Sequence, residues 1–160
     1  MRAMNLPEGF TLRGASLEDV NVLVSHRRAM FRDMGYSDKA ALDRMAEKSK
    51  PWLIEKMRSG EYLAWPVMAP DDSVAAGADL WLMDWIPHMV GTSARRSNIL
   101  NVYTDPEFRR RGLARRLMEV ALRWCRDNGV DTVVLHASAE ARALYESLAF
   151  TASNEMRIRL

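Results

Sequence analysis

The chain has little of what builds a disulfide scaffold, a metal centre or a membrane span. It holds one cysteine, Cys125, in 160 residues, so no internal disulfide exists and no cysteine cluster can take a metal. No stretch approaches the roughly 20 apolar residues of a membrane helix. The first ten residues, "MRAMNLPEGF", lack the apolar run of a signal peptide, and a reducing, cytoplasmic setting is the expectation. Net charge is only +2, so the molecule as a whole is no polycation. Lysine is scarce too: nineteen of the 23 cationic residues are arginine, whose planar fork suits two-pronged phosphate contacts. What is there is 48% hydrophobic and 28% charged, in a length that fits one domain, 1–160. Cys125, in a helical pattern beside Trp124, reads as a small buried hydrophobe.

"FTLRGAS" reads as a short strand, Phe10 to Arg13, running into a helix cap in which Asp19 follows Ser16 by three. Apolar residues at helical spacing predict a helix from Leu17 to about Met34, stopped by Gly35. A second helical region spans 37–58, and Pro51 predicts a break into two helices. Stretches 61–69 and 73–83 read as strands joined by the turn "PDDS". Residues 84–98 show no periodicity and read as a loop. A strand at 99–104, a helix at 112–128 and a strand at 131–138 make a parallel βαβ crossover. A short helix at 139–150 and an alternating strand, "NEMRIRL" at 154–160, complete the order. The expected class is α/β in the broad sense: a mixed, mostly antiparallel sheet with one parallel crossover, flanked by helices.

The informative stretch is "VYTDPEFRRRGLARRLM", 102–118, where arginines crowd the turn from a strand into a helix. Cations oppose the dipole at a helix start by about 0.3–1 kcal/mol each, so the crowding does nothing for the helix itself. The free N–H groups of a first turn form an anion site, and Gly112 lets backbone approach a ligand closely. Arg109, Arg110 and Arg111 add charge at the mouth, and Ala114 keeps the first turn open.

"RRRGLA", 109–114, resembles the Gln/Arg-x-x-Gly-x-Gly/Ala signature of the GCN5-related N-acetyltransferases, and "ALYESLAF", 143–150, resembles that family's Leu-Tyr-x-x-x-Gly-Phe element. The order of elements agrees along the chain. The resemblance implies the family's fold and an acetyl-coenzyme A co-substrate with no metal. The pyrophosphate would lie on the backbone of Arg110, Arg111, Gly112, Leu113, Ala114 and Arg115, near Arg109. The pantetheine arm would run along Asn101, Val102 and Tyr103. Two positions depart from the pattern: Ser138 stands where an asparagine often contacts the coenzyme, near Arg142, and Ala149 replaces a glycine before Phe150.

Acyl transfer to an amine needs a proton acceptor, an oxyanion donor and a proton for the departing thiolate. Tyr145 matches the family's general acid. For the base, Asp79 and Asp84, on or after the strand expected beside 99–104, are the candidates, with a solvated carboxylate as the plainer reading of each. The acceptor pocket of the family is built from the first two helical regions and the loop after the third strand. Here that assigns Arg27, Phe31, Trp81, Trp85, His88 and His136 to the acceptor side, with core packing or a solvated face as the alternative for each.

The reaction class implied is transfer of acetyl to a primary amine of a small molecule, amino acid or peptide. Three other readings stay open: an acyl donor borne by a carrier or RNA, a coenzyme-binding sensor without turnover, and a basic helix at 109–126 that binds nucleic acid. Glu119 and Asp127 interrupt that basic stripe. The final strand offers a pairing surface for a homodimer, by analogy with the family.

Overall fold

The computed structural model describes residues 5–160. Five strands form one sheet in sequence order: β1 (Thr11–Leu12), β2 (Tyr62–Met68), β3 (Val74–Asp84), β4 (Arg95–Thr104) and β5 (Val133–Leu135). The first four pair antiparallel, and β4 pairs parallel with β5. Helices α1 (Val20–Asp33) and α2 (Lys39–Arg58) precede β2, α3 (Leu113–Asp127) joins β4 to β5, and α4 (Arg142–Ser147) follows β5. This is the expected mixed sheet with a parallel crossover.

The two faces of the sheet bury different helices. On one, Leu117, Met118 and Ala121 of α3 are fully covered against Leu80, Leu82 and Ile99. Cys125 packs there with its Sγ 3.4 Å from Ser97 Oγ, and burial pushes its thiol up, so it serves as packing. On the other face, Val20 and Leu23 of α1 and Leu53 of α2 meet Tyr62 and Ala64 of β2. The cap before α1 forms: Ser16 N donates to Asp19 Oδ2 at 2.8 Å, and Ser16 Oγ accepts from Glu18 N. Arg13 clamps both Asp19 oxygens at 2.8 Å, and this pairing holds the carboxyl down at about 2.

Four sequence expectations are corrected. Helix α2 runs unbroken through Pro51. A proline removes one backbone donor, but Trp52 and Leu53 directly after it pack against the sheet and hold the helix in line. The loop predicted at 84–98 shrinks to 85–94, because the β3–β4 ladder continues to the pair Asp84–Arg95. The strand expected over 131–138 keeps three residues. The last segment forms no strand: residues 151–160 are all exposed, and none of them pairs with the sheet. Alternation alone does not make a strand; the segment must also pair with an edge.

Two close fits set the geometry of the site. In β4, Asn101 and Val102 lie opposite Ala78 alone, a β-bulge with Asn101 in the left-handed region at φ 51°. At Gly77, which faces Tyr103, an added Cβ would stand 3.0 Å from Nδ1 of the buried His26. The His26 ring packs 5.1 Å from that of Tyr103.

Candidate active site

The bulge turns Asn101 inward, onto the α1 and α2 face of the sheet. Its Nδ2 donates to Asp79 Oδ2 at 2.7 Å and to the Tyr62 hydroxyl at 3.1 Å. Tyr62 donates to the same Asp79 oxygen at 2.6 Å, and Arg27 of α1 donates to Asn101 Oδ1 at 2.9 Å. Asp79 is 2% exposed. Burial pushes its carboxyl up to about 7, against the pull of the bonds from Tyr62 and Asn101 and of the Arg27 charge. Burial, then the neighbouring Asp79, pushes the Tyr62 hydroxyl far above its ordinary range. A carboxyl poised near neutrality is suited to taking up and giving back a proton.

Tyr62 and Asn101 open this network onto a cavity of about 450 Å³ between α1, α2 and the sheet. Its floor is a cross-strand row, since Tyr62 faces Trp81 and Trp81 faces Asn98. Its roof comes from α2, where Met45, Lys48, Ser49 and Trp52 fall at helical spacing. Trp52 meets both Trp81 and Tyr62 edge to face, at 5.2 and 5.6 Å between ring centroids.

On β4 the pairing with β5 stops at Ile99–Leu135, so Asn101, Val102 and Tyr103 lie on a strand whose β5-facing edge has been vacated. Beyond it, Asp105 caps a short turn by accepting from Glu107 N at 3.0 Å. The chain then takes two left-handed steps, Arg110 at φ 62° and Gly112 at φ 78°, before α3 begins with no side-chain cap. Among the described residues the amides of Arg110, Arg111 and Gly112 find no acceptor. Such a run of amides at a helix start is a cradle for an anion. Arg109 is held beside it by Asp33, at 2.5 Å, and by the Thr104 carbonyl, at 3.0 Å. Arg111 lies over Phe108, and Arg115 donates to Ser147 of α4. Leu113 is buried and can offer only its backbone, whereas Ala114 is partly buried.

Tyr145 sits in α4 at 7% exposure, its ring 6.0 Å from that of Phe150. Its hydroxyl has no hydrogen bond among the described residues, and burial raises it, which keeps it protonated. Helix α4 ends in a Schellman turn: Phe150 N donates to the Tyr145 carbonyl and Ala149 N to that of Glu146, with Ala149 at φ 70°. Ser138 accepts from Ala141 N at the head of α4, and Arg142 pairs with Glu146.

The acceptor candidates separate. Arg27 and Trp81 line the cavity. Phe31 stands next to it, carrying the Arg27 guanidinium 5.0 Å above its ring. Asp84, Trp85, His88 and His136 are all exposed and outside the lining. Trp85 is stacked under Arg96 at 3.3 Å, and His88 accepts from Val90 N within its own loop. Tyr62, Trp52, Lys48 and Asn98 went unsingled in the sequence. The apolar stripe of 37–58 was the signal for Trp52. Nothing local marks Tyr62 and Asn98, which join the site through strand register.

Among the described residues no group of three or more His, Cys, Asp or Glu is placed to hold a metal, and no helix is long and apolar enough to cross a membrane. Comparison with known proteins agrees with the geometry. A GCN5-related N-acetyltransferase from Ralstonia eutropha JMP134 superposes with a TM-score of 0.89, at 30% identity over 95% of this chain and 99% of that one. A predicted acetyltransferase from Clostridium acetobutylicum, solved with acetyl-CoA, shares the fold at a TM-score of 0.85 and 21% identity, over 94% and 96% of the two chains. The ribosomal protein bS18-alanine N-acetyltransferase of Salmonella typhimurium is 42% identical over 66 residues, a stretch spanning 39% of this chain and 43% of that relative. The profile of the Acetyltransferase (GNAT) family matches residues 21–150, from α1 through Phe150, and the chain belongs to that family of N-acetyltransferases.

Proposed function

We propose that residues 1–160 act as one domain that transfers the acetyl group of acetyl-coenzyme A to a primary amine by direct attack. The observation that carries this reading is the buried Asp79 carboxyl, poised near neutrality where the cavity meets the bulge of β4. The α3 start fits the coenzyme: its free amides and the arginines at 109, 110, 111 and 115 suit a pyrophosphate, and the vacated edge of β4 suits an extended amide-bearing arm. When bound, the coenzyme supplies the acyl thioester.

The chain's own groups do the rest. An alkylammonium, with a pKa near ~10.4, must shed a proton before it has a lone pair to attack with. Tyr62 lines the cavity and Asp79 lies behind it, so the Tyr62 oxygen takes the proton while its own passes to Asp79 Oδ2 along the 2.6 Å bond. The β4 backbone beyond Ile99 offers N–H groups to the oxyanion, and the Tyr145 hydroxyl donates a proton to the departing sulfur. The acceptor is a small-molecule amine, an amino acid or a peptide end. The partial likeness to a ribosomal protein bS18-alanine N-acetyltransferase supports the last of these.

Calorimetric titration with acetyl-coenzyme A tests the donor half. Micromolar binding is expected, falling by at least tenfold, about 1.4 kcal/mol, in Gly112→Glu and more modestly in Arg110→Ala. A folded wild-type chain that binds no acetyl-coenzyme A would sink the reading.

A further inference from the structure

The cavity also carries information about its occupant, on the premise that it is the acceptor site. Its charged lining residues are Arg27 and Lys48, and no carboxylate faces into it directly. Asp79, behind Tyr62 and Asn101, is the sole acidic group of the network, and burial favours its neutral form up to about pH 7. A polycationic amine would find repulsion at the walls and no counter-ion for its second charge. The body of the cavity is aromatic and apolar, with Trp52 and Trp81 edge to face and Leu100 and Met45 beside them. On the floor, opposite Trp81, Asn98 Oδ1 is buried with no hydrogen-bond partner, an acceptor that needs a donor from outside the protein.

We propose that the acceptor is an alkyl amine carrying both an aromatic ring and a carboxylate, of the aromatic α-amino acid class. The ring lies against Trp81 and Trp52, and the carboxylate meets Arg27 and Lys48. The amine reaches Tyr62, and an N–H of the ligand satisfies Asn98.

Tryptophan fluorescence reads this without any acetyl transfer, because Trp52 and Trp81 line the cavity. The probes are L-phenylalanine, 3-phenylpropionate, 2-phenylethylamine and spermidine, titrated into the full chain, with acetyl-coenzyme A binding measured separately by calorimetry. Phenylalanine and phenylpropionate are expected to quench, with phenylethylamine roughly three- to tenfold weaker and spermidine inactive. Lys48→Glu, at an exposed position on α2, is expected to erase the preference for the carboxylate, and Trp81→Phe to remove most of the signal. Equal or tighter binding of phenylethylamine or spermidine overturns the proposal. So does acetyl-coenzyme A binding with no quench by any aromatic acid, an outcome that leaves the acetyltransferase reading standing. A quench without acetyl-coenzyme A binding would do the reverse.

Discussion

Asn101, left-handed at the bulge of β4, donates its side-chain amide to Asp79 on the next strand at 2.7 Å. That bond lowers the carboxyl against the rise that burial imposes. Asn101→Gly keeps a residue at ease at positive φ and deletes the amide. The alkaline-going midpoint of the pH–rate profile should move up by about one unit. Activity should therefore fall more at pH 6.5 than at pH 9. A uniform loss at all pH values would show that Asn101 only shapes the strand.

Asp79→Asn removes the proposed proton acceptor and is expected to cost about 10²–10⁴ in kcat, with acetyl-coenzyme A affinity unchanged. Its effect on stability has the opposite sign. A carboxyl raised from 3.8 to about 7 on folding contributes stability that is full below pH 3.8 and lost as pH rises through 7. Wild-type unfolding free energies from urea titration should therefore decline between about pH 4 and 7, by up to a few kcal/mol, and the decline should flatten in Asp79→Asn. Asp19 acts in a different window. Held at about 2 by Arg13, it contributes stability present above pH 3.8 and lost as pH falls through 2.

Tyr145→Phe keeps the ring pair with Phe150 and the turn that ends α4, and deletes only the hydroxyl. We expect kcat to fall about 10–100-fold, with the KM for acetyl-coenzyme A within about twofold. A larger change in KM than in kcat would assign the hydroxyl to binding.

Ala149→Gly should stabilise the protein by about 0.5–1 kcal/mol, because Ala149 holds φ 70° and glycine takes that conformation without a Cβ clash. Thermal unfolding checks it. A fall in melting temperature would mean that lost chain entropy outweighs the strain relieved.

Much of the proposed donor side was legible because its residues are local. The arginine run, Gly112 and the strand-to-helix turn occupy neighbouring positions in the sequence, and the structure gathers them with two left-handed steps between. The acceptor side was legible only in fragments. Tyr62, Trp81 and Asn98 become one row through the register of three strands, and register is fixed by tertiary packing rather than by neighbours in the chain. The inward turn of Asn101 follows from one extra residue in β4, which no periodicity announces. The tail shows the same limit: "NEMRIRL" carries a strand's alternation, yet it pairs with no strand of the sheet.

The fit of Gly77 against His26 bears on how such a chain can vary over time. A methyl at 77 would meet Nδ1 at 3.0 Å, and the ring, pressed between that backbone and Tyr103, has little room to retreat. The two positions, in different elements and 51 residues apart in sequence, are therefore a single heritable character. Either the glycine and the imidazole descend together, or the ring is given up first and the smaller side chain left in its place makes room for a Cβ on β3.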